Sequence, residues 1–163
     1  MKQPRGISIQ VTGLRDRKLD RAIGHGLLAY NVAKIGRMPR GSISVGVRGP
    51  RGVILGGLQG FLFWGWLYVN MFWLDEKTRG KGIGSAVLAA AEKEAARRKC
   101  FGVYLDTGSF QAPGFYRKQG YKQFANLIDF PPGHSRYSFY KKLKPAAAAK
   151  AKPKASAKRA KRR

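Results

Sequence analysis

The sequence predicts a mixed α/β (α+β) fold in which a central sheet with both parallel and antiparallel strand pairs is flanked by helices. Between Trp66 and Thr107 an apolar strand-like run, a glycine-rich loop, an alanine-rich helix and a second apolar run follow one another. A strand, helix and strand in that order imply a parallel pair. Elsewhere strand-like runs are separated by short turn-forming stretches, "WGW" and "DFPPGH", which suit hairpins and therefore antiparallel pairs. The 163 residues, 44% of them hydrophobic, fit one domain with one core, since a chain of about 150 residues buries roughly two-thirds of its unfolded surface.

In chain order, Ile7 to Val11 reads as a first strand. From Leu14 to about Asn31 the apolar spacing is helical, weakened by Gly24 and Gly26 and ended by "GRMPRG". "SISVGV" alternates as a strand should, and "RGPRG" turns the chain into "VILGGLQGFLFWGWLYVNMFWL", Val53 to Leu74. That stretch carries no formal charge and is long enough to cross a bilayer. Its aromatic and β-branched residues, interior Gln59 and Asn70, and glycines at 56, 57, 60 and 65 favour two buried strands turning near "WGW" instead, so no membrane span is expected. A helix follows to about Lys99, with Arg97, Arg98 and Lys99 in its last turn where cations suit the dipole. "CFGVYLDT" is a strand, "PGFYRKQ" a short helix stopping at Gly120, and "YKQFANLI" and "SRYSFYKKL" are the closing strands. Residues 1–143 form the domain. Residues 144–163, "KPAAAAKAKPKASAKRAKRR", lack aromatic and acidic residues and any core pattern, and read as a disordered basic tail.

Charge narrows the partners. The chain has 33 Lys+Arg against 8 Asp+Glu, a net +25. Setting aside the nine basic residues of 144–163 leaves +16 on the domain, so the body attracts phosphates, nucleic acid and other anions. The single cysteine, Cys100, permits no intramolecular disulfide, and with two histidines no metal centre is expected. The N-terminus lacks the apolar core of a signal peptide, so a reduced, cytoplasmic setting is expected.

"RGKGIG" is neither a Walker loop nor a dinucleotide fingerprint. It sets Arg79, Gly80, Gly82 and Gly84 at the spacing R-x-x-G-x-G directly before a helix. Glycines admit close approach of backbone to an anion, and the unpaired N–H groups of a helix start carry the positive dipole end. Either a pyrophosphate cradle or a plain strand-to-helix connection would use such residues.

With its context, the motif resembles the Q/R-x-x-G-x-G/A signature of the GNAT superfamily of acetyl-CoA-dependent N-acetyltransferases. Further on, "SFQAPGFYRKQGY" aligns Ala112, Phe115, Tyr116, Gly120 and Tyr121 with that family's N-x-x-A-x-x-F-Y-x-x-x-G-F/Y. The resemblance implies that the family's fourth and fifth strands, here near Trp66 to Leu74 and Phe101 to Thr107, splay apart to admit a pantetheine arm as an added strand. By the same resemblance Phe72, Trp73 and Leu74 supply backbone contacts to pantetheine. Arg79, Gly80, Lys81, Gly82, Ile83, Gly84 and Ser85 surround the pyrophosphate. Ser109 stands where the family often has a cofactor-binding asparagine.

The implied reaction moves acetyl from acetyl-CoA to a primary amine by direct attack in a ternary complex. An alkylammonium with pKa near 10 must lose a proton before attack, and the leaving sulfur must gain one. Tyr116 is the expected acid. Asn70 occupies the place where many family members carry a glutamate base, and an amide cannot take a proton at neutral pH, so it is left to orient a water or the substrate. Asp106 is the preferred base, ahead of His134. Cys100 reads as a small packing residue rather than a nucleophile.

The positive body disfavours free polycations as acceptors and suits an amine carried on something anionic, whether a small molecule or a macromolecule. Residues 144–163 would add sequence-independent contact with nucleic acid. The alternative is a nucleic-acid-associated protein with reduced or no catalysis, for which Asn70 and the charge speak. A homodimer is compatible with all of this.

Overall fold

The computed structural model describes residues 6–144; the expected tail lies almost wholly outside them. The chain divides into two compact units at Met38 and Pro39, and each is described by itself. The first contains helix α1 (Arg17–Ile35), whose N-cap Asp16 side chain accepts from the N–H groups of Lys18 and Leu19 and whose C-cap is Gly36 with φ 73°. The helix begins and ends a few residues later than the apolar spacing suggests, because Asp16 supplies the cap. The expected strand at Ile7 to Val11 does not form: these residues are exposed and carry no ladder. Alternation alone cannot make a strand where no neighbouring edge accepts its backbone bonds.

The second unit holds a six-stranded mixed sheet. Its strands are β1 (Gly41–Arg48), β2 (Ile54–Phe63), β3 (Trp66–Leu74), β4 (Gly102–Gly108), β5 (Lys122–Ile128) and β6 (Ser135–Lys142), with spatial order β1-β2-β3-β4-β6-β5. Helix α2 (Ile83–Arg97) joins β3 to β4, and helix α3 (Pro113–Lys118) joins β4 to β5. Only β3 and β4 pair in parallel, as the intervening helix requires. The uncharged stretch is the β2–β3 hairpin, turning at Trp64 (φ 48°) and Gly65 (φ 77°), two positive φ values of the kind that suit the twist of a tight hairpin. No described helix is long and apolar enough to cross a membrane.

Helix α2 buries Val87, Leu88, Ala91 and Ala95, a one-face spacing whose alanines allow close approach to the sheet. They meet Ile43, Leu58, Leu62, Leu67, Val69, Val103, Leu105 and Phe139 in one core cluster. The opposite sheet face carries Phe61, Phe63, Trp66, Tyr68, Tyr104, Asp106, Ser138 and Tyr140 by strand alternation. Several of these are exposed or half-buried.

Candidate active site

The site is an opening in the sheet. Strand β3 pairs with β4 only from Trp66 to Val69, opposite Gly102 to Leu105. Beyond that point Asn70 to Leu74 and Asp106 to Gly108 stay extended, held by β2 on one side and by β6 on the other. The expected splay is therefore present between β3 and β4. A β-bulge marks where it begins: Gln59 pairs with Met71 and Gly60 with Val69, leaving Asn70 as the extra residue. Bulges bend a strand and increase its twist, which turns the rest of β3 away from β4.

The facing edges are not equally free. The Asp75 N–H donates to the Leu55 carbonyl across β2, so by alternation Trp73 also faces β2, while Phe72 and Leu74 present their backbone to the opening. Of the three positions expected to contact pantetheine through backbone, two are thus oriented for it. The Leu74 carbonyl accepts from Arg79 Nε at 3.0 Å. On β4, the Ser109 N–H donates to the Ser135 carbonyl at 2.7 Å, which leaves Asp106 and Gly108 directed to the opening. The Gly108 N–H is capped by Gln111 Oε1 at 2.7 Å, and that oxygen also accepts from Thr107 Oγ1 at 3.1 Å.

At the C-terminal end of β3, Asp75 caps a 3-10 turn (Glu76–Thr78) by accepting from Lys77 N–H, and Thr78 Oγ1 donates to the Asp75 carbonyl at 2.6 Å. Gly80 (φ 73°) and Gly82 (φ 76°) then turn the chain into α2, with Gly82 as an N-cap that has no side-chain bond. Among the described residues no carbonyl or side chain accepts from the N–H groups of residues 80–85; the first helical bond is from Ala86 to the Gly82 carbonyl. A Cβ placed on Gly80 or Gly82 would meet nothing within 4 Å, so the space beside these two glycines is open. Lys81 Nζ donates to the Lys77 carbonyl at 2.9 Å, which holds its charge beside the loop.

Asp106 lies at the mouth of the opening on the face opposite α2. Its carboxylate accepts from Arg136 Nη2 at 2.7 Å, Ser138 Oγ at 2.5 Å and Tyr68 Oη at 3.2 Å. Arg136 also lies over the Phe130 ring, 5.1 Å from its centroid. Burial, followed by the Asp106 charge, pushes the Tyr68 hydroxyl pKa up. Nothing local in the sequence marks Tyr68, Arg136 and Ser138, which stand 30 or more residues from Asp106 in the chain and are brought to it by sheet register.

Tyr116 approaches from the other side. Its ring packs against Phe115, Tyr121 and Phe139, and burial pushes its pKa up to about 12. Its hydroxyl has no hydrogen-bond partner among the described residues, yet no described side-chain oxygen or nitrogen is both sealed and unpartnered. The hydroxyl therefore reaches accessible space as a protonated donor. Ser109 Oγ accepts from the Ser135 N–H at 3.2 Å and lies 3.4 Å from His134 Nδ1, so both side chains are drawn to the start of β6. Asn70 is exposed. Cys100 is buried, and burial raises its thiol pKa against the partial counterweight of Arg98, the opposite of an activated thiolate. No metal-binding group of side chains occurs among the described residues.

Residues 21–121 match the acetyltransferase (GNAT) family. The chain is 43% identical over 96 residues to the blasticidin-S acetyltransferase of Streptomyces morookaense, covering 58% of this chain and 71% of that one. It is 34% identical over 125 residues to an acetyltransferase of Agrobacterium fabrum, covering 77% and 91%. The crystal structure of an acetyltransferase from Bacillus cereus superposes with a TM-score of 0.75 at 32% identity, covering 82% of this chain and 98% of that one.

Proposed function

Because the chain belongs to the GNAT acetyltransferase family, we propose that it is an acetyl-CoA-dependent N-acetyltransferase acting on a primary amine by direct attack in a ternary complex. The observation that carries this reading is the pairing of an opened β3–β4 edge with unengaged amides at residues 80–85 just beyond it. The fit to acetyl-CoA rests on that donor set. Backbone N–H groups at a helix start complement a pyrophosphate, Arg79 and Lys81 add positive charge, and the edges of Phe72, Leu74 and Asp106 suit an amide-bearing arm laid in as a strand.

Acetyl-CoA supplies the activated acetyl group, whose C–S bond breaks as the N–C bond to the amine forms. The chain's residues handle the protons from opposite faces of the sheet. Asp106 receives the ammonium: a carboxylate has about four acceptor sites, and three are filled by Arg136, Ser138 and Tyr68. Keeping the proton would disrupt the 2.7 Å pair with Arg136, so Asp106 passes it on to water, with Asn70 at the bulge orienting that water. Tyr116 donates a proton at the sulfur side, and the second proton lost by the amine replaces it. Ser109 acts by fixing the end of β4 to β6.

The acceptor is read as a small amine-bearing molecule, which the named substrate of the Streptomyces relative supports. The test is calorimetric titration with acetyl-CoA together with thiol release over a panel of amines, for wild type and Tyr116→Phe. Micromolar binding with turnover that falls at least 100-fold in the variant agrees with the proposal. Heatless mixing with acetyl-CoA together with salt-sensitive retention of DNA or RNA would instead favour the nucleic-acid-associated reading, whose support is the net charge of +25 and an asparagine in place of a glutamate base.

A further inference from the structure

On the face opposite α2, Phe63, Trp64, Trp66, Tyr104, Phe124 and Tyr140 line an open cavity of about 510 Å³. Every lining side chain is aromatic, in a chain that carries 33 Lys+Arg, so a cationic or anionic group would find no ionic partner within it. The rings present both faces and edges: Phe63 stacks on Trp64 at 4.3 Å, while Trp66 meets Tyr104 and Tyr140 edge-on at 6.4 Å and Phe124 meets Tyr140 edge-on at 5.8 Å. Such an arrangement complements another flat ring through offset and edge contacts, and the volume lies in the range of small-molecule sites.

The cavity wall is joined to the proposed site of transfer by side-chain contacts. Tyr104 on its wall packs against Tyr68 at 4.9 Å between centroids, and Tyr68 donates to Asp106 at 3.2 Å. Tyr104 and Asp106 lie on the same face of β4, two residues apart, which the strand rise makes about 6.6 Å. Resting on the N-acetyltransferase reading above, we propose that this cavity is the acceptor subsite and that it takes an arylalkylamine, a primary amine two or three carbons from a flat aromatic or heteroaromatic ring. The ring occupies the Tyr104 end of the aromatic cavity, and the short spacer passes Tyr68 so that the ammonium meets the remaining acceptor position of Asp106. Specificity then comes from the ring and the spacer length together.

The experiment compares phenethylamine with 2-cyclohexylethylamine, which match in carbon count and in amine spacing but differ in aromaticity. The expected result is a KM at least about fivefold lower for phenethylamine. In Trp64→Asn that ratio falls below twofold. Asparagine tolerates the positive φ of 48° at this position, so the variant keeps its turn while losing one wall. A second readout needs no turnover: in wild type without acetyl-CoA, phenethylamine shifts the indole N–H resonances of Trp64 and Trp66 and 2-cyclohexylethylamine does not. Equal KM values with unmoved indole signals overturn the proposal while leaving acetyl transfer intact. A stable dimer in sedimentation that Trp64→Asn dissociates also overturns it, since the cavity would then be an interface between two copies. Indole shifts without turnover on any amine would retain the ring site and reject the N-acetyltransferase reading.

Discussion

Replacing Gly82 by alanine separates the local fold of the loop from its proposed use as an anion cradle. Gly82 has φ 76°, and a Cβ built there meets no atom within 4 Å. The cost to folding is therefore backbone strain alone, about 1–2 kcal/mol for a non-glycine residue in the left-handed region. For a chain of this size that lowers Tm by roughly 2–4 °C per kcal/mol. The new methyl group, however, stands in the open space through which an anion would approach the amides of residues 83–85, so acetyl-CoA affinity should fall by at least tenfold. Gly84 provides the contrast. Its φ lies outside the left-handed region, it sits within α2, and an added Cβ would be 3.4 Å from Phe115 Cε2 and 3.5 Å from Leu74 Cδ1, ordinary packing distances. Alanine gains up to about 1 kcal/mol over glycine in a helix, so Gly84→Ala should match or exceed wild-type stability and retain acetyl-CoA within threefold. Thermal denaturation and calorimetric titration on the same preparations check both. An unchanged acetyl-CoA affinity in Gly82→Ala, with the predicted loss of Tm, would refute the cradle, because the strain would be present without any consequence for the anion.

Three further outcomes are expected. Tyr116→Phe should lower kcat by about 10²–10⁴ with KM for acetyl-CoA within threefold, since its hydroxyl has no partner to lose among the described residues. With the Tyr116 pKa raised from 10 to about 12, its contribution to stability is complete below pH 10 and is lost as pH rises through 12. By the same reasoning kcat/KM should climb with pH toward the pKa of the amine, and a falling limb between pH 8 and 9 would contradict Tyr116 as the acid. Asp106→Asn should cut kcat/KM by about 100-fold and cost about 1 kcal/mol by leaving half-exposed Arg136 without its partner, readable in urea unfolding and steady-state kinetics. Hydrogen bonds from Arg97 and then Arg98 hold the Glu94 carboxyl at about 2 rather than 4.5. Its contribution to stability is therefore present above pH 4.5 and lost as pH falls toward 2, and Glu94→Gln should flatten the acid limb of the Tm profile over that window, less so at high salt.

Local patterns carried the loop, the helices and the hairpin. The glycines at 80, 82 and 84 and the alanine-rich run after them act within a few residues of one another, and their conformations are set by short-range sterics and capping. The "WGW" turn is legible for the same reason. The extended run Ile7 to Val11 shows the limit of that information, since it has the alternation of a strand but no ladder. The surroundings of Asp106 show it again: Tyr68, Arg136 and Ser138 reach its carboxylate only through the β3–β4 and β4–β6 registers. Gln111, which caps the edge of β4, carried no signal in the sequence at all.

What the sequence determined by itself was therefore the set of parts: a parallel pair around a helix, a glycine loop before that helix, and a short helix carrying Tyr116 after the second strand of the pair. The tertiary structure decided how they meet, because the single-residue bulge at Asn70 ends the β3–β4 pairing, strand alternation sets Asp106 on the face opposite α2, and the packing of α3 against Phe139 sets Tyr116 on the other. Backbone conformation is governed by near neighbours along the chain, whereas the register between strands is governed by the burial of whole faces at once, and no short stretch of sequence contains that sum.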